Sequence, residues 1–169
     1  LQPDAINIVY GHGGEAVRGA FTDNDLTWSH QLEQLGTGHA LAQALPSIPD
    51  DHQVLVLYGD VPLVKIDSLR ALLSQGSGDE AVMLTAFVDN PHGYGRILRT
   101  DKRAVSGIVE ENEASAEELG IAEINTGLMR LPAGRLRGWL AELTNENSQG
   151  EFYLTDAVGM AVRDGVEVV

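Results

Sequence analysis

The chain has 169 residues, 43% of them apolar, a net charge of −14 and no cysteine. That length and apolar fraction fit one compact domain with a sizeable core rather than a disordered chain. The acidic charge, spread along the sequence, argues against nucleic acid and anionic membranes as partners, since both need basic patches. Without cysteine there are no disulfides or thiolate metal sites, in keeping with a cytoplasmic protein. No apolar run is long enough to cross a bilayer, and no basic segment followed by an apolar stretch opens the chain.

Strands and helices alternate in chain order. Ile6–Tyr10 reads as a short strand closed by Gly11-His12-Gly13-Gly14, followed by a helical turn over residues 15–21. Residues 27–31 form a second short strand. Over residues 37–45, Ala40, Leu41, Ala44 and Leu45 recur at helical spacing until Pro46 stops the helix. Residues 54–58 are apolar or aromatic without alternation, which suits a strand covered on both faces. Ile66–Ser74 presents Leu69, Leu72 and Leu73 on one helical face, with Asp67 as the expected N-cap. Residues 81–88 form another buried strand.

From residue 90 to 110 the pattern changes to a hairpin, with strands at 95–99 and 104–110 and a turn at 100–103. A short exposed helix is expected over 114–119 and a strand over 123–130. The helix over 132–143 starts at proline and shows Leu136, Trp139, Leu140 and Leu143 on one side. Thr155 is the expected cap of a last helix that runs to Arg163 and ends at Gly165. Alternating strands and helices of this length imply an α/β fold: a mixed, mostly parallel sheet, helices on both faces and a hairpin insert. The segment before Ile6 and the strand at 166–169 both lead into core material, so the chain is expected to be part of something longer.

Three segments carry chemistry. In Val54-Leu55-Val56-Leu57-Tyr58-Gly59-Asp60-Val61-Pro62-Leu63 an apolar strand ends in an acid. Ligands of open α/β sheets gather at the carboxyl ends of strands, where a carboxylate beside glycine can hold Mg²⁺ bound to phosphates. Asp60 capping the following turn is the equal alternative. Gln34-Leu35-Gly36-Thr37-Gly38-His39-Ala40 opens a helix whose N–H groups suit an anion or a base edge, but no lysine follows as in a P-loop. Taken alone, the segment is better explained as an ordinary loop capped by Thr37. Gly93-Tyr94-Gly95-Arg96-Ile97 allows close backbone approach. Asn125, in an otherwise apolar strand, needs a partner, because an unsatisfied buried amide costs roughly 1–3 kcal/mol. His12, His30, His39, His52 and His92 show no zinc-ligand spacing and read as structural or surface residues.

These segments occur together, and in this order the chain resembles the N-terminal pyrophosphorylase domain of bacterial N-acetylglucosamine-1-phosphate uridylyltransferases. The resemblance is carried by Val9–Gly14, Gln34–Ala40, Leu57–Leu63, Gly93–Ile97, Gly107–Glu110, Glu123–Gly127 and Gln149–Asp156, and it implies a Rossmann-like nucleotidyltransferase fold. It further implies that Gln31 and Gly36, with Thr37 beside them, contact uracil. Asp60 would hold the catalytic Mg²⁺, Tyr58 and Gly59 would line the nucleotide-sugar site, and Gly95, Glu110 and Asn125 would bind N-acetylglucosamine. The reaction implied joins UTP and N-acetylglucosamine-1-phosphate into UDP-N-acetylglucosamine and pyrophosphate.

The family's Gly-x-Gly-Thr-Arg loop and first strand, the lysine that follows, a second metal ligand and the acetyltransferase domain on which its homotrimer depends do not occur in these 169 residues. Residues 1–169 are therefore expected to be the central part of one nucleotidyltransferase domain, inactive alone. A non-catalytic nucleotide-sugar-binding module and a pyrophosphorylase for another sugar-1-phosphate are the alternatives.

Overall fold

A computed structural model describes residues 1–21 and 25–169. Two sheets organise the chain. Strands β1 (Ile6–Tyr10) and β2 (Leu26–His30) pair in parallel, with helix α1 (Glu15–Ala20) between them in sequence. The second sheet is built around the ten-residue strand β7 (Glu123–Pro132), flanked by β3 (Gln53–Val56) and β4 (Val82–Phe87). Met129 faces Val56 on one side and Met83 on the other, which fixes β3 and β4 on opposite edges of β7. The hairpin of β5 (Arg96–Arg99) and β6 (Val105–Val109) joins the β3 edge lower down, where Arg96 is opposite Ile124.

The α/β class with a hairpin insert stands, but the strand directions differ from the sequence expectation. All ladders of the five-stranded sheet are antiparallel. The reason is that β3 and β4, joined through helix α3 (Ile66–Ser74), run the same way but do not touch. β7 lies between them in the opposite direction, a crossover that strand-by-strand reading does not reveal.

Helices α2 (Thr37–Ala44), α4 (Ala133–Glu142) and α5 (Asp156–Arg163) complete the core. Leu41, Met129, Leu131, Leu136, Trp139, Leu154 and Val158 form one buried cluster with Ile97 and Val54. Each such side chain contributes roughly 1.5–3 kcal/mol on burial. The indole N–H of Trp139 donates to Asp164 at 2.9 Å, so its polar edge is satisfied.

Several local expectations are corrected. Lys65, not Asp67, precedes the first turn of α3, and Asp67 pairs with Arg70 at 3.1 Å. The helix expected over 114–119 is replaced by two 3₁₀ turns, Glu111–Glu113 and Glu118–Gly120. Ala133 starts α4 and Pro132 caps it as the last residue of β7. At the C-terminus residues 167–169 pair in parallel beside β4: Ala81 N–H donates to Glu167 O at 3.0 Å, and Val169 N–H to Ala81 O and Met83 N–H to Val169 O, each at 2.9 Å. No helix among the described residues is long and apolar enough to cross a membrane.

Candidate functional site

The site begins where β2 ends. The backbone N–H of Gln31 donates to Tyr10 O at 2.8 Å, extending the strand pair by one residue and carrying the Gln31 side chain inward, where it is 8% exposed. There its amide nitrogen donates to Gly36 O at 3.1 Å and reaches His39 Nδ1 at 3.0 Å. Gly36 has φ +105°, and a Cβ on it would stand 2.7 Å from Phe152 O. Both the left-handed backbone and the close strap restrict this position to glycine. Gly38 N–H donates to Phe152 O and Phe152 N–H to Leu35 O, each at 2.8 Å.

The Thr37 hydroxyl does not cap α2. It accepts the N–H of Leu154 at 3.1 Å, fastening the 152–155 strap to the loop. The strap thus replaces part of the capping that a helix N-terminus otherwise takes from its own side chains.

Strand β3 stops at Val56 rather than Tyr58, because its partner changes course. Gly127 takes φ +81°, and the register of β4 on β7 shifts between Met83 and Thr85. The Tyr58 ring fills the space so opened, with Cε2 only 2.6 Å from where a Gly127 Cβ would lie. Burial above all, and then the charge of Glu110, push the Tyr58 hydroxyl up from its ordinary value, opposed by a hydrogen bond with Thr37.

Two residues on, Asp60 is exposed, and its carboxylate has no hydrogen-bond partner among the described residues. The turn there is closed by the backbone, Val61 N–H to Tyr58 O at 3.2 Å. The turn-capping alternative for Asp60 has no support in this geometry. Gly59 between them meets open space on the side where a Cβ would stand.

Glu110, Gly95 and Asn125 come together across the hairpin. Asn125 N–H donates to Gly95 O at 2.9 Å. Gly95 is buried, and a Cβ there would approach Glu110 Oε2 to 3.2 Å, so glycine leaves the carboxylate its room. The Asn125 side chain finds a local partner, its Oδ1 accepting Gly127 N–H at 2.9 Å. The loop before Gly95 is tied down by Glu111, whose carboxylate accepts from Gly93 N–H and pairs with His92 and Arg96. The Gly93 N–H, first, holds the Glu111 carboxyl below its usual range.

The contacts among the nine residues expected at the site form two groups that meet at Tyr58, just past β3. Gln31, Gly36 and Thr37 are connected by the loop and the 152–155 strap to Tyr58, and Tyr58 to Glu110, Gly95 and Asn125. Two further side chains touch these residues. Thr155, 7% exposed, is not the side-chain cap of α5: its hydroxyl donates to Glu110 Oε1 at 2.7 Å. His39, read as structural or surface, touches both Gln31 and Gln43. The only sequence signal for either is its place in the segments Gln34–Ala40 and Gln149–Asp156. A cavity of about 110 Å³ lies behind the loop, against Gly38, His39 and Phe152.

The class of this α/β domain, with Asp60 four residues past β3, is that of a nucleotidyltransferase, as its sequence family shows. Residues 1–122 match the family described as the MobA-like NTP transferase domain, and the chain belongs to that family. At the level of individual proteins it is similar to the bifunctional protein GlmU of Alkalilimnicola ehrlichii, 54% identical over 168 residues, which cover 99% of this chain and 36% of the relative. The bifunctional protein GlmU of Pseudomonas aeruginosa is 51% identical, over 99% of this chain and 37% of the relative. The chain thus spans a little over a third of the length of these relatives. In fold it is similar to a UDP-glucose pyrophosphorylase crystallised with UDP-glucose, with a TM-score of 0.70 at 15% identity, over 95% of this chain and 69% of that one.

Proposed function

We propose that the protein containing this chain transfers a uridylyl group from UTP to N-acetylglucosamine-1-phosphate, giving UDP-N-acetylglucosamine and pyrophosphate. An oxygen of the sugar phosphate attacks the α-phosphorus of UTP, and the bond from that phosphorus to the bridging oxygen of the β-phosphate breaks as pyrophosphate leaves. Both reactants are already anionic, so positioning and charge neutralisation set the rate. The observation that carries this reading is that Tyr58 lies between the two groups, hydrogen-bonded to Thr37 and within the field of Glu110, in a member of an NTP transferase family. The similarity to GlmU supports the choice of sugar and base.

Gln31 and Gly36 contact uracil in this reading, with Thr37 beside them. Tyr58 and Gly59 line the nucleotide-sugar, and Gly95, Glu110 and Asn125 hold the N-acetylglucosamine. Mg²⁺ fits Asp60, an exposed carboxylate without a protein partner. Mg²⁺ is commonly held by one or two carboxylates plus waters and substrate phosphates. Bound there, the ion would neutralise phosphate charge. Asp60 would hold it, and the glycine beside it leaves that approach open.

Residues 1–169 are the central part of one nucleotidyltransferase domain in this account, and the protein works in the cytoplasm. The 169 residues alone should show no turnover, because they contain no Gly-x-Gly-Thr-Arg loop to hold the triphosphate. Calorimetry on the complete protein tests the reading: UDP-N-acetylglucosamine should bind more tightly than UDP-glucose. Equal or reversed affinities would reassign the sugar.

A further inference from the structure

We infer that His39, with the carbonyl of Gly36, sets the orientation of the Gln31 side-chain amide and thereby makes the site select uracil over cytosine. The inference rests on the proposed placement of Gln31 against the base.

The orientation follows from the partners. Gly36 O can only accept, so the Gln31 atom 3.1 Å away is the NH₂ nitrogen. The second hydrogen of that group meets His39 Nδ1 at 3.0 Å, and this ring nitrogen must accept it. A neutral imidazole accepts at one nitrogen and donates from the other, so Nε2 carries the hydrogen. Gln43 also brings its amide nitrogen to the ring, 3.2 Å from Nε2, and the same nitrogen donates to His39 O at 3.1 Å. Both amides cannot donate to one neutral ring. Gln31 is the more buried of the two, 8% exposed, whereas Gln43 is half-buried and keeps its bond to the His39 carbonyl. The contact that yields is therefore Gln43 to Nε2.

With both hydrogens engaged inward, Gln31 presents only its carbonyl oxygen. Oε1 accepts no hydrogen bond among the described residues and is not sealed from solvent. The Gln31 backbone is fixed as well: its N–H is bonded to Tyr10 O, and its carbonyl accepts the Gln34 amide at 2.9 Å. Uracil carries a hydrogen on N3 that this oxygen can accept. Cytosine carries a lone pair at N3, which would face it acceptor to acceptor. To admit cytosine, the amide must turn over and lose both inward bonds, leaving its oxygen against Gly36 O. Discrimination by a buried amide that would otherwise be left unpaired is large for a single contact.

The test compares kcat/KM for UTP and CTP in the complete protein carrying the native residue, His39→Ala or His39→Gln. The native protein should prefer UTP. His39→Ala should lower the UTP/CTP ratio by about tenfold, the weight of one buried hydrogen bond, through the nucleotide KM and with the sugar-phosphate KM unmoved. His39→Gln, whose carbonyl can accept from Gln31, should hold the ratio near native. A ratio unchanged in His39→Ala, with both nucleotides weakened alike, would reduce His39 to a packing residue and overturn the inference.

A second readout needs no variant. The ¹⁵N shifts of the His39 ring should show hydrogen on Nε2 and a bare Nδ1, and hydrogen on Nδ1 would overturn the inference even if His39→Ala fails to fold. Absence of turnover with either nucleotide in the native protein would instead strike the proposed function, and the ring shifts would still decide the amide orientation.

Discussion

The hydroxyl of Thr155 donates to Oε1 of Glu110 at 2.7 Å, so the carboxylate proposed to face the sugar is held from the segment that also straps the base loop. Thr155→Val keeps the shape and removes the donor. We expect the KM for the sugar phosphate to rise about threefold to tenfold, the scale of one ordinary hydrogen bond felt through a positioned neighbour. The KM for UTP should move little. Thr155→Ser should retain the native value. Steady-state kinetics with each substrate varied in turn check this.

Gly127 is held by two independent demands, φ +81° and the Tyr58 ring against its missing Cβ. Gly127→Ala should therefore lower stability by about 1–3 kcal/mol from the backbone alone, and by more if the ring cannot move. Urea unfolding measures the loss. An unchanged midpoint would show that the bend in β7 does not need glycine.

Glu123 gives a dependence on acid. Its carboxylate accepts Arg99 Nε at 2.7 Å and Nη2 at 2.6 Å, and the Thr85 hydroxyl at 2.8 Å. Hydrogen bonding to Arg99 is the main force holding it below the usual carboxylate value. A carboxyl lowered in the folded state stabilises fully above its unfolded pKa, about 4.3. That stabilisation is lost as pH falls through the lower folded value. Glu80, held down to about 2 by the backbone N–H groups of Ser77 and Gly78, acts with the same sign. Glu123→Gln should cost about 1–3 kcal/mol at pH 7 and markedly less at pH 3. Denaturant titrations at the two pH values test the sign.

Asp60→Ala in the complete protein should abolish Mg²⁺-dependent turnover while leaving the fold intact, since the carboxylate is exposed and bonds to no other described residue. A circular dichroism melt beside a pyrophosphate-release assay separates the two effects. Near-native activity would remove Asp60 from the metal site.

Much of this was legible in the sequence because it is local. The apolar run of β3, the helical spacing of α2, α3 and α4, and the glycine pairs around Thr37 and Tyr94 each show in a short window. What escaped depends on partners distant in sequence. The antiparallel course of β7 between β3 and β4 arises from a crossover that no window contains. Thr155 looks like a helix cap until Glu110, 45 residues earlier, is placed beside it. His39 lacks any metal-ligand spacing, and its contact is with an amide that only the fold brings inward. Asp67 and Thr37 occupy positions where capping is common, but nearby groups offered them better partners.

The most direct measurement is pyrophosphate release by the complete protein with Mg²⁺ and UTP, comparing N-acetylglucosamine-1-phosphate with glucose-1-phosphate. Turnover should need the metal and strongly favour the acetylated sugar. Absence of release with either sugar, or a preference for glucose-1-phosphate, would contradict it.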